Sequence, residues 1–409
     1  MSQPEVLEAF NRALALEARH VSRDPGLLFQ QLQNRLQWEG DEVRAALNST
    51  IAARPGRRKA LIRLKTELRE SKALIGTIDA HKGGANGCAI ALDAEYVVSV
   101  GADGMARQWD RRTGQEIRSV SIAPPGGGSY DQFQGGATCC ALSPDGEFAV
   151  CGGAQGSVCI WEPSTGRELW RSVASGYTLN ACSVVPDGTK TLWAKVDEAG
   201  SHFGFHGTPM DSLLHIRQWS GEERTIQVKG HVRACAVSPD GTLLALAVYG
   251  AMEGHVEVRN LRTGAQLWKD KHPPPIRTVL DSGDEVGFPP EIPDCAFTPD
   301  GGLVLTASRD STLRLWNTRS GTWVRSFALE TRSPLTACAV TPDGAATLSG
   351  SRGGTLTLWE TTTGIALARL EGHGDEVTAL TIAPDGRFAA SASRDETVRI
   401  WDLDIARGG

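Results

Sequence analysis

Near residue 400 the chain reads Ser393-Arg394-Asp395-Glu396-Thr397-Val398-Arg399-Ile400-Trp401-Asp402, and degraded copies of this phrase recur upstream. The matching positions are Trp109, Trp161, Trp219, Arg259, Trp316, Trp359 and Trp401. A period of about forty residues, stretched by insertions, constrains the fold more than any other feature. A unit of that size cannot bury a core alone, so neighbours must supply the missing surface.

Every copy carries the same signals in one order. An apolar strand runs into a Pro-Asp-Gly turn at 144–146, 186–188, 239–241, 299–301, 342–344 and 384–386. Proline presets φ for such a turn and glycine accepts the positive φ that follows. A strand of small residues comes next, as in Phe388-Ala389-Ala390-Ser391-Ala392-Ser393, and a third ends at the tryptophan. A Thr-Gly or Ser-Gly turn (Thr113-Gly114, Thr165-Gly166, Thr263-Gly264, Ser320-Gly321, Thr363-Gly364) leads into a fourth. Four strands, seven times over, predict a mostly β chain built as a seven-bladed propeller.

With Gly372-His373, the Pro-Asp-Gly turns and Trp401-Asp402 in view, the chain resembles the WD-repeat family. The resemblance implies a His, a Ser or Thr, an Asp and the Trp hydrogen-bonded across one blade. By spacing these are His373, Ser393, Asp395 and Trp401, the one complete set. The fifth blade keeps Ser308, Asp310 and Trp316 without the histidine. The first keeps His81, Asp103 and Trp109 but has Gly101 at the hydroxyl position.

The ring is expected to close on itself. Residues 73–81 are similar to 364–373, with Ile78 against Leu370 and His81 against His373. The final repeat stops after three strands, so strand 73–80 is expected to complete it and remove two exposed edges. Residues 73–409 then form the propeller.

Residues 1–72 differ in kind. Val6, Leu7, Phe10, Ala13, Leu14 and Ala18 share a helical face, and Leu28, Leu32 and Leu36 recur at four-residue spacing after Asp24-Pro25. Further helices are expected from Asp41 and from Arg57 to Ser71, about four short helices in all. This segment carries 13 Lys and Arg against 9 Asp and Glu, while the whole chain has 42 against 48. Its cluster Arg54, Arg57, Arg58 and Lys59 lacks the interleaved aromatic residues of a nucleic-acid site and reads as a solvated helix start or a face docking on the acidic ring. The stretch from Pro25 to Trp38 resembles the region before the propeller in bacterial signalling NTPases of the STAND/NACHT type. No Gly-x-x-x-x-Gly-Lys-Ser/Thr loop is found, so the resemblance implies a detached sensor or adaptor part without the NTPase module.

Composition narrows the function. The start is polar and acidic, and no run of about twenty apolar residues is available to span a bilayer, so a soluble, cytoplasmic protein is expected. Six of the nine cysteines (Cys88, Cys140, Cys182, Cys235, Cys295, Cys338) stand four residues before the turn-proline position. That places them on the innermost strand as small buried side chains, not disulfide partners or metal ligands. No cofactor is expected.

Three insertions break the period: 122–137, 197–211 and 270–293. In a four-stranded antiparallel blade the four-to-one and two-to-three links leave by the same face, so all three belong to one rim. Long loops on a rigid scaffold are where binding resides. Tyr130, Phe133, His202, Phe203, Phe205, His206, Asp284 and Phe288 are accordingly the candidate contacts for a protein or peptide. The expectation is a non-enzymatic interaction scaffold or sensor, an adaptor in signalling. The alternative is a propeller hydrolase or oxidoreductase with His202 or His206 as base or ligand at the channel mouth. Glycines at 200, 204 and 207 argue against the helix that would make this i, i+4 pair a metal site. Thr165-Gly166 with Trp170, and Thr263-Gly264 with Trp268, are similar to part of the docking motif of quinone-dependent propeller dehydrogenases, although the same residues make a plain turn and fourth strand.

Overall fold

The computed structural model describes residues 71–122, 136–153, 156–173, 177–197, 211–250, 253–271, 291–328 and 333–408. It also describes the hairpin Thr278–Val279 with Glu285–Val286, the helix Asp41–Ala52, and single positions between 6 and 36. Seven four-stranded antiparallel sheets form a β-propeller. The first blade comprises Ala85–Ile90, Tyr96–Gly101, Met105–Asp110 and Glu116–Ser121, the second Ala137–Leu142, Ala149–Gly153, Val158–Trp161 and Glu168–Ser172. The third is Tyr177–Val184, Lys190–Asp197, Ser212–Gln218 and Glu223–Val228, and the fourth His231–Val237, Leu243–Gly250, Glu253–Asn260 and Gln266–Lys271. Asp294–Phe297, Leu303–Ala307, Thr312–Asn317 and Trp323–Ala328 make the fifth; Leu335–Val340, Ala346–Ser351, Leu356–Glu360 and Ala366–Leu370 the sixth.

The seventh blade takes its three inner strands from Val377–Ile382, Phe388–Ser393 and Thr397–Asp402, and its outer strand from Leu74–Asp79. Ile78 pairs with Val398 and Thr77 with Arg399. Ser71 N–H reaches Glu371 O at 2.8 Å, and Ala80 N–H reaches Glu396 O at 3.0 Å. Two distant parts of the chain therefore share one sheet.

Packing explains the composition of each strand. Second strands are pressed from both sides, so Ala149–Gly153 and Ala346–Ser351 are buried throughout and made of small residues. Outer strands face solvent, and Trp323–Ala328 buries only Phe327. Apolar faces meet between blades: Trp401 packs with Leu348, Leu356 and Leu358 of the sixth blade, while Val398 and Ile400 pack with Ile90, Val97 and Trp109 of the first. Burial of such faces is the main favourable term for a ring of units that lack private cores.

The inner strands are stitched by their bulges. In six blades the pairing of the first strand slips by one residue, as between Ala85 and Gly87 or Val377 and Ala379. A bulge leaves one residue out of the ladder. Four of these residues bond to the next blade: Asn86 Nδ2 to Ala137 O at 2.8 Å, Thr138 Oγ1 to Leu179 O at 2.5 Å, Thr336 Oγ1 to Val377 O at 2.5 Å and Thr378 Oγ1 to Ala85 O at 2.7 Å. The last joins the seventh blade to the first. In the fifth blade Asp294 does the equivalent as acceptor, taking Cys338 N–H of the sixth at 2.8 Å.

The helix Leu403–Gly408 follows the final inner strand. Asp402 Oδ1 caps it through the N–H groups of Asp404 and Ile405, and Leu403 and Ala406 join the core between blades six and seven. Near the other end, Val43 and Leu47 of Asp41–Ala52 pack with Ala13, Leu32 and Leu36. The helix expected from Arg57 and the basic cluster Arg54 to Lys59 lie outside the described residues.

Two positions in the repeat alignment require correction. The hydroxyl of the seventh-blade network is Ser391, not Ser393. Trp401 Nε1–H donates to Ser391 Oγ at 2.8 Å, and Ser391 Oγ lies 2.6 Å from His373 Nε2. Ser393 instead donates to Asp375 O at 3.1 Å and accepts Asp395 N–H. Both serines point to the same face of one strand, and only the reach of the indole separates them. The correction restores the first blade, where His81 Nε2 lies 2.7 Å from Ser99 Oγ, Trp109 Nε1 donates to Ser99 at 2.8 Å, and His81 Nδ1 lies 2.9 Å from Asp103. The set at His373 is therefore not the single complete one.

The second correction concerns the third blade. Thr191 stands three residues past its turn glycine, as Ala389 does in the seventh blade, and its partner across the sheet is Arg217. Arg217 thus holds the tryptophan position, not Trp219. Trp219 lies beyond the strand, 45% exposed, with its Nε1–H on Gly188 O at 2.8 Å and its ring edge-on to Phe148 at 4.5 Å.

Candidate interaction face

Ser121, Ala137, Asp197, Ser212, Lys271 and Asp294 flank the three insertions. By the antiparallel alternation of strands, all of these ends lie on one face of the ring. Among the described residues, the blades' own links on the opposite face are tight turns, and on that face Leu74–Asp79 begins and the helix Leu403–Gly408 follows Asp402. There Ser143 Oγ donates to Asp145 at 2.5 Å and Thr341 Oγ1 to Asp343 at 2.5 Å, while Gly146 and Gly344 hold positive φ. The candidate contacts Tyr130, Phe133, His202, Phe203, Phe205, His206, Asp284 and Phe288 all fall outside the described residues.

Polar networks inside the blades are structural in geometry. Burial pushes the His373 imidazole below its usual range, against the pull of Asp395. The neutral ring then gives its Nδ1–H to Asp395 Oδ2 at 2.9 Å and accepts the Ser391 hydroxyl at Nε2. Burial would raise the Asp395 carboxyl, yet His373, Thr397 and the Gly374 N–H together hold it below the usual carboxylate range. In the fifth blade Trp316 Nε1–H donates to Thr306 Oγ1 at 3.0 Å, and Arg314 meets Asp310 at 2.8 Å where a histidine is missing. The sixth keeps Trp359 to Ser349 at 2.9 Å, and the second substitutes sulfur, Trp161 to Cys151 at 3.4 Å.

All nine cysteines are unpaired. Burial pushes the Cys88 thiol up to about 12, and that of Cys159 likewise to about 12 with Arg171 opposing. Protonated, enclosed thiols are poor nucleophiles and poor metal ligands. Burial also pushes the Asp294 carboxyl up to about 7, against the backbone N–H groups of Cys338 and Cys295.

The third blade departs furthest from its neighbours, and the repeat pattern did not single it out. Trp193 occupies the place of the network hydroxyl and Lys195 the place of Ser393. Trp193 stacks on His215 with ring centroids 5.7 Å apart and an interplanar angle of 7°. Trp170 of the second blade lies 5.3 Å from Trp193, and the Arg217 guanidinium sits 4.4 Å over Trp170. His215 Nδ1 is 2.6 Å from Glu223 Oε1. The readable signal was a lysine at a strand position that carries Gly101, Gly153, Ser308, Ser351 or Ser393 in other blades.

Comparison with known proteins divides the ring in two. The family model "WD domain, G-beta repeat" matches residues 72–110, 288–317 and 364–402. The model "Outer membrane protein assembly factor BamB" matches 102–287. The first covers the two blades with complete His-Ser-Asp-Trp networks and part of the fifth. The second covers the stretch where that network decays. Among curated relatives, a WD repeat-containing protein SL1-17 of Schistosoma mansoni is 26% identical over 46% of this chain and 54% of its own length. Eukaryotic translation initiation factor 3 subunit I of Aspergillus oryzae is 22% identical over 62% of this chain and 68% of its own. A guanine nucleotide-binding protein subunit beta of Zea mays is 21% identical over 62% and 60%. The chain thus spans little more than half the length of the first of these relatives. Among the described residues no helix is long and apolar enough to cross a membrane. With seven sheets closed by Leu74–Asp79 and hydrogen-bonded networks at His81 and His373, the chain is a seven-bladed β-propeller carrying WD40 repeats.

Proposed function

We propose that the protein is a non-enzymatic interaction scaffold that binds a protein or peptide partner on the face from which its insertions leave. The observation that carries this reading is the segregation of chain length. Every strand end that flanks a long insertion lies on one side of the ring, whereas the links between strands of a blade on the other side are tight turns. A rigid platform with variable loops on one rim is the arrangement of a binding surface. The kinship with a G-protein β subunit and a translation initiation factor subunit, both named as parts of larger assemblies, supports a scaffold role. Tyr130, Phe133, Phe203, Phe205 and Phe288 would serve as apolar anchors, with His202, His206 and Asp284 giving polar specificity. The resemblance of residues 25–38 to the pre-propeller region of bacterial signalling NTPases favours a place in a signalling or defence system.

Affinity capture with the full chain, and with a variant in which 198–210 and 272–290 are replaced by short Gly-Ser links, tests the reading. The ring of the variant is expected to keep its circular dichroism while losing the partners that the parent retains. Equal recovery of every partner by a folded variant would overturn the proposal.

A further inference from the structure

Lys195 is 6% exposed, and among the described residues it has neither a hydrogen bond nor an ion pair. Glu223 is the acid that acts on it through space. Glu223 is already engaged, at 2.6 Å by His215 Nδ1 and at 3.9 Å by Arg217 Nη1. Two further polar atoms on the same face are buried without partners: Trp193 Nε1 and His215 Nε2. Trp193 lies two residues before Lys195 on one strand, hence on the same side of the sheet, and pairs directly with His215 on the next. Trp193 packs among Val150, Val158 and Ile160, so this face looks onto the second blade.

Two unsatisfied ring nitrogens withdrawn from water, beside a largely covered lysine with no ion partner among the described residues, make an unfavourable arrangement for a free protein. Each nitrogen has a definite role to offer. Burial lowers the Lys195 ammonium's hold on its proton, with Glu223 opposing, and burial likewise keeps His215 neutral. With Nδ1–H given to Glu223, His215 presents Nε2 as an acceptor, whereas Lys195 and Trp193 present donors. We propose that the junction of the second and third blades opens beside Lys195 to receive a carboxylate of the protein partner, an Asp or Glu side chain held by the Lys195 ammonium and the Trp193 indole N–H. His215 Nε2 then accepts a neighbouring peptide N–H. Lys195 and Arg217 against Glu223 leave one net positive charge, which matches a single negative charge and not a phosphate dianion. The inference rests on the reading of the ring as a protein-binding scaffold, and it specifies the chemistry of the partner.

The test uses the full chain and arrayed acetylated dodecapeptides, each carrying one central Glu and synthesised again with Gln in its place. The parent is expected to bind a subset of the Glu peptides at least about thirtyfold tighter than their Gln counterparts, with the Trp193 indole N–H resonance shifting on binding. Lys195→Met should erase that preference without lowering the melting temperature, and Lys195→Arg should keep part of it. No Glu-over-Gln preference in the parent, an unchanged preference in Lys195→Met, or a lower melting temperature in that variant would overturn the inference. The loop-replaced variant separates the two proposals. If it loses all peptides while Lys195→Met loses none, the face reading stands and the carboxylate site falls. If it keeps the Glu preference that Lys195→Met lacks, the reverse holds.

Discussion

Ser391→Ala should destabilise the protein by about 3 kcal/mol, because it strips a buried partner from His373 Nε2 and from Trp401 Nε1 at once. Neither nitrogen has water to turn to: Ser391 and Trp401 are fully buried, and the whole His373 residue is 7% exposed. Ser393→Ala, two residues along the same strand face, should cost about 1 kcal/mol. It removes one bond to Asp375 O and one from Asp395 N–H at the end of the blade. Urea midpoints of the two variants check the ranking. A larger loss for Ser393→Ala would mean that the network runs through the wrong hydroxyl in this account.

Gly101→Ser is expected to be at least as damaging as Ser391→Ala, although a repeat alignment presents it as a repair. Gly101 occupies in the first blade the place of Ser393 in the seventh. A Cβ there would stand 2.3 Å from both Cβ and Cγ of His81 and 2.7 Å from Gly84 O. Backbone and a buried ring must both move, at a cost of about 3 kcal/mol, and the displaced His81 would lose Ser99 and Asp103 as partners. Thermal and urea denaturation measure it. A neutral or stabilising effect would show that the first blade has room for a hydroxyl beside His81.

These two cases show why the architecture could be read from the sequence and the networks could not. The Pro-Asp-Gly turns, the recurrent tryptophan and the small residues of second strands each have a local physical cause, so they mark strands wherever they recur. Seven sheets and a mostly β chain follow from them. A strand, however, repeats its environment every two residues. Ser391 and Ser393 are therefore equivalent in pattern, as are Arg217 and Trp219, and side-chain reach decides between members of each pair. In the third blade the stretch between Asp197 and Ser212 also removes the fixed spacing between turn and tryptophan that locates the other blades. The cluster around Lys195 was invisible for a related reason. Trp193, Lys195, His215 and Glu223 come from three strands, and only the sheet register brings them together. The aromatic and histidine residues proposed as contacts stand in insertions, where no repeat constrains their placement.

Closure of the ring is the claim on which the shared rim and the blade numbering depend. Hydrogen exchange on the intact protein tests it at the strand Leu74–Asp79. Paired with Thr397–Asp402, its amides should be protected to the same degree as those of Ala366–Leu370, the outer strand of the sixth blade. Exchange of the 74–79 amides at the rate of an unstructured chain, while the other outer strands stay protected, would contradict it.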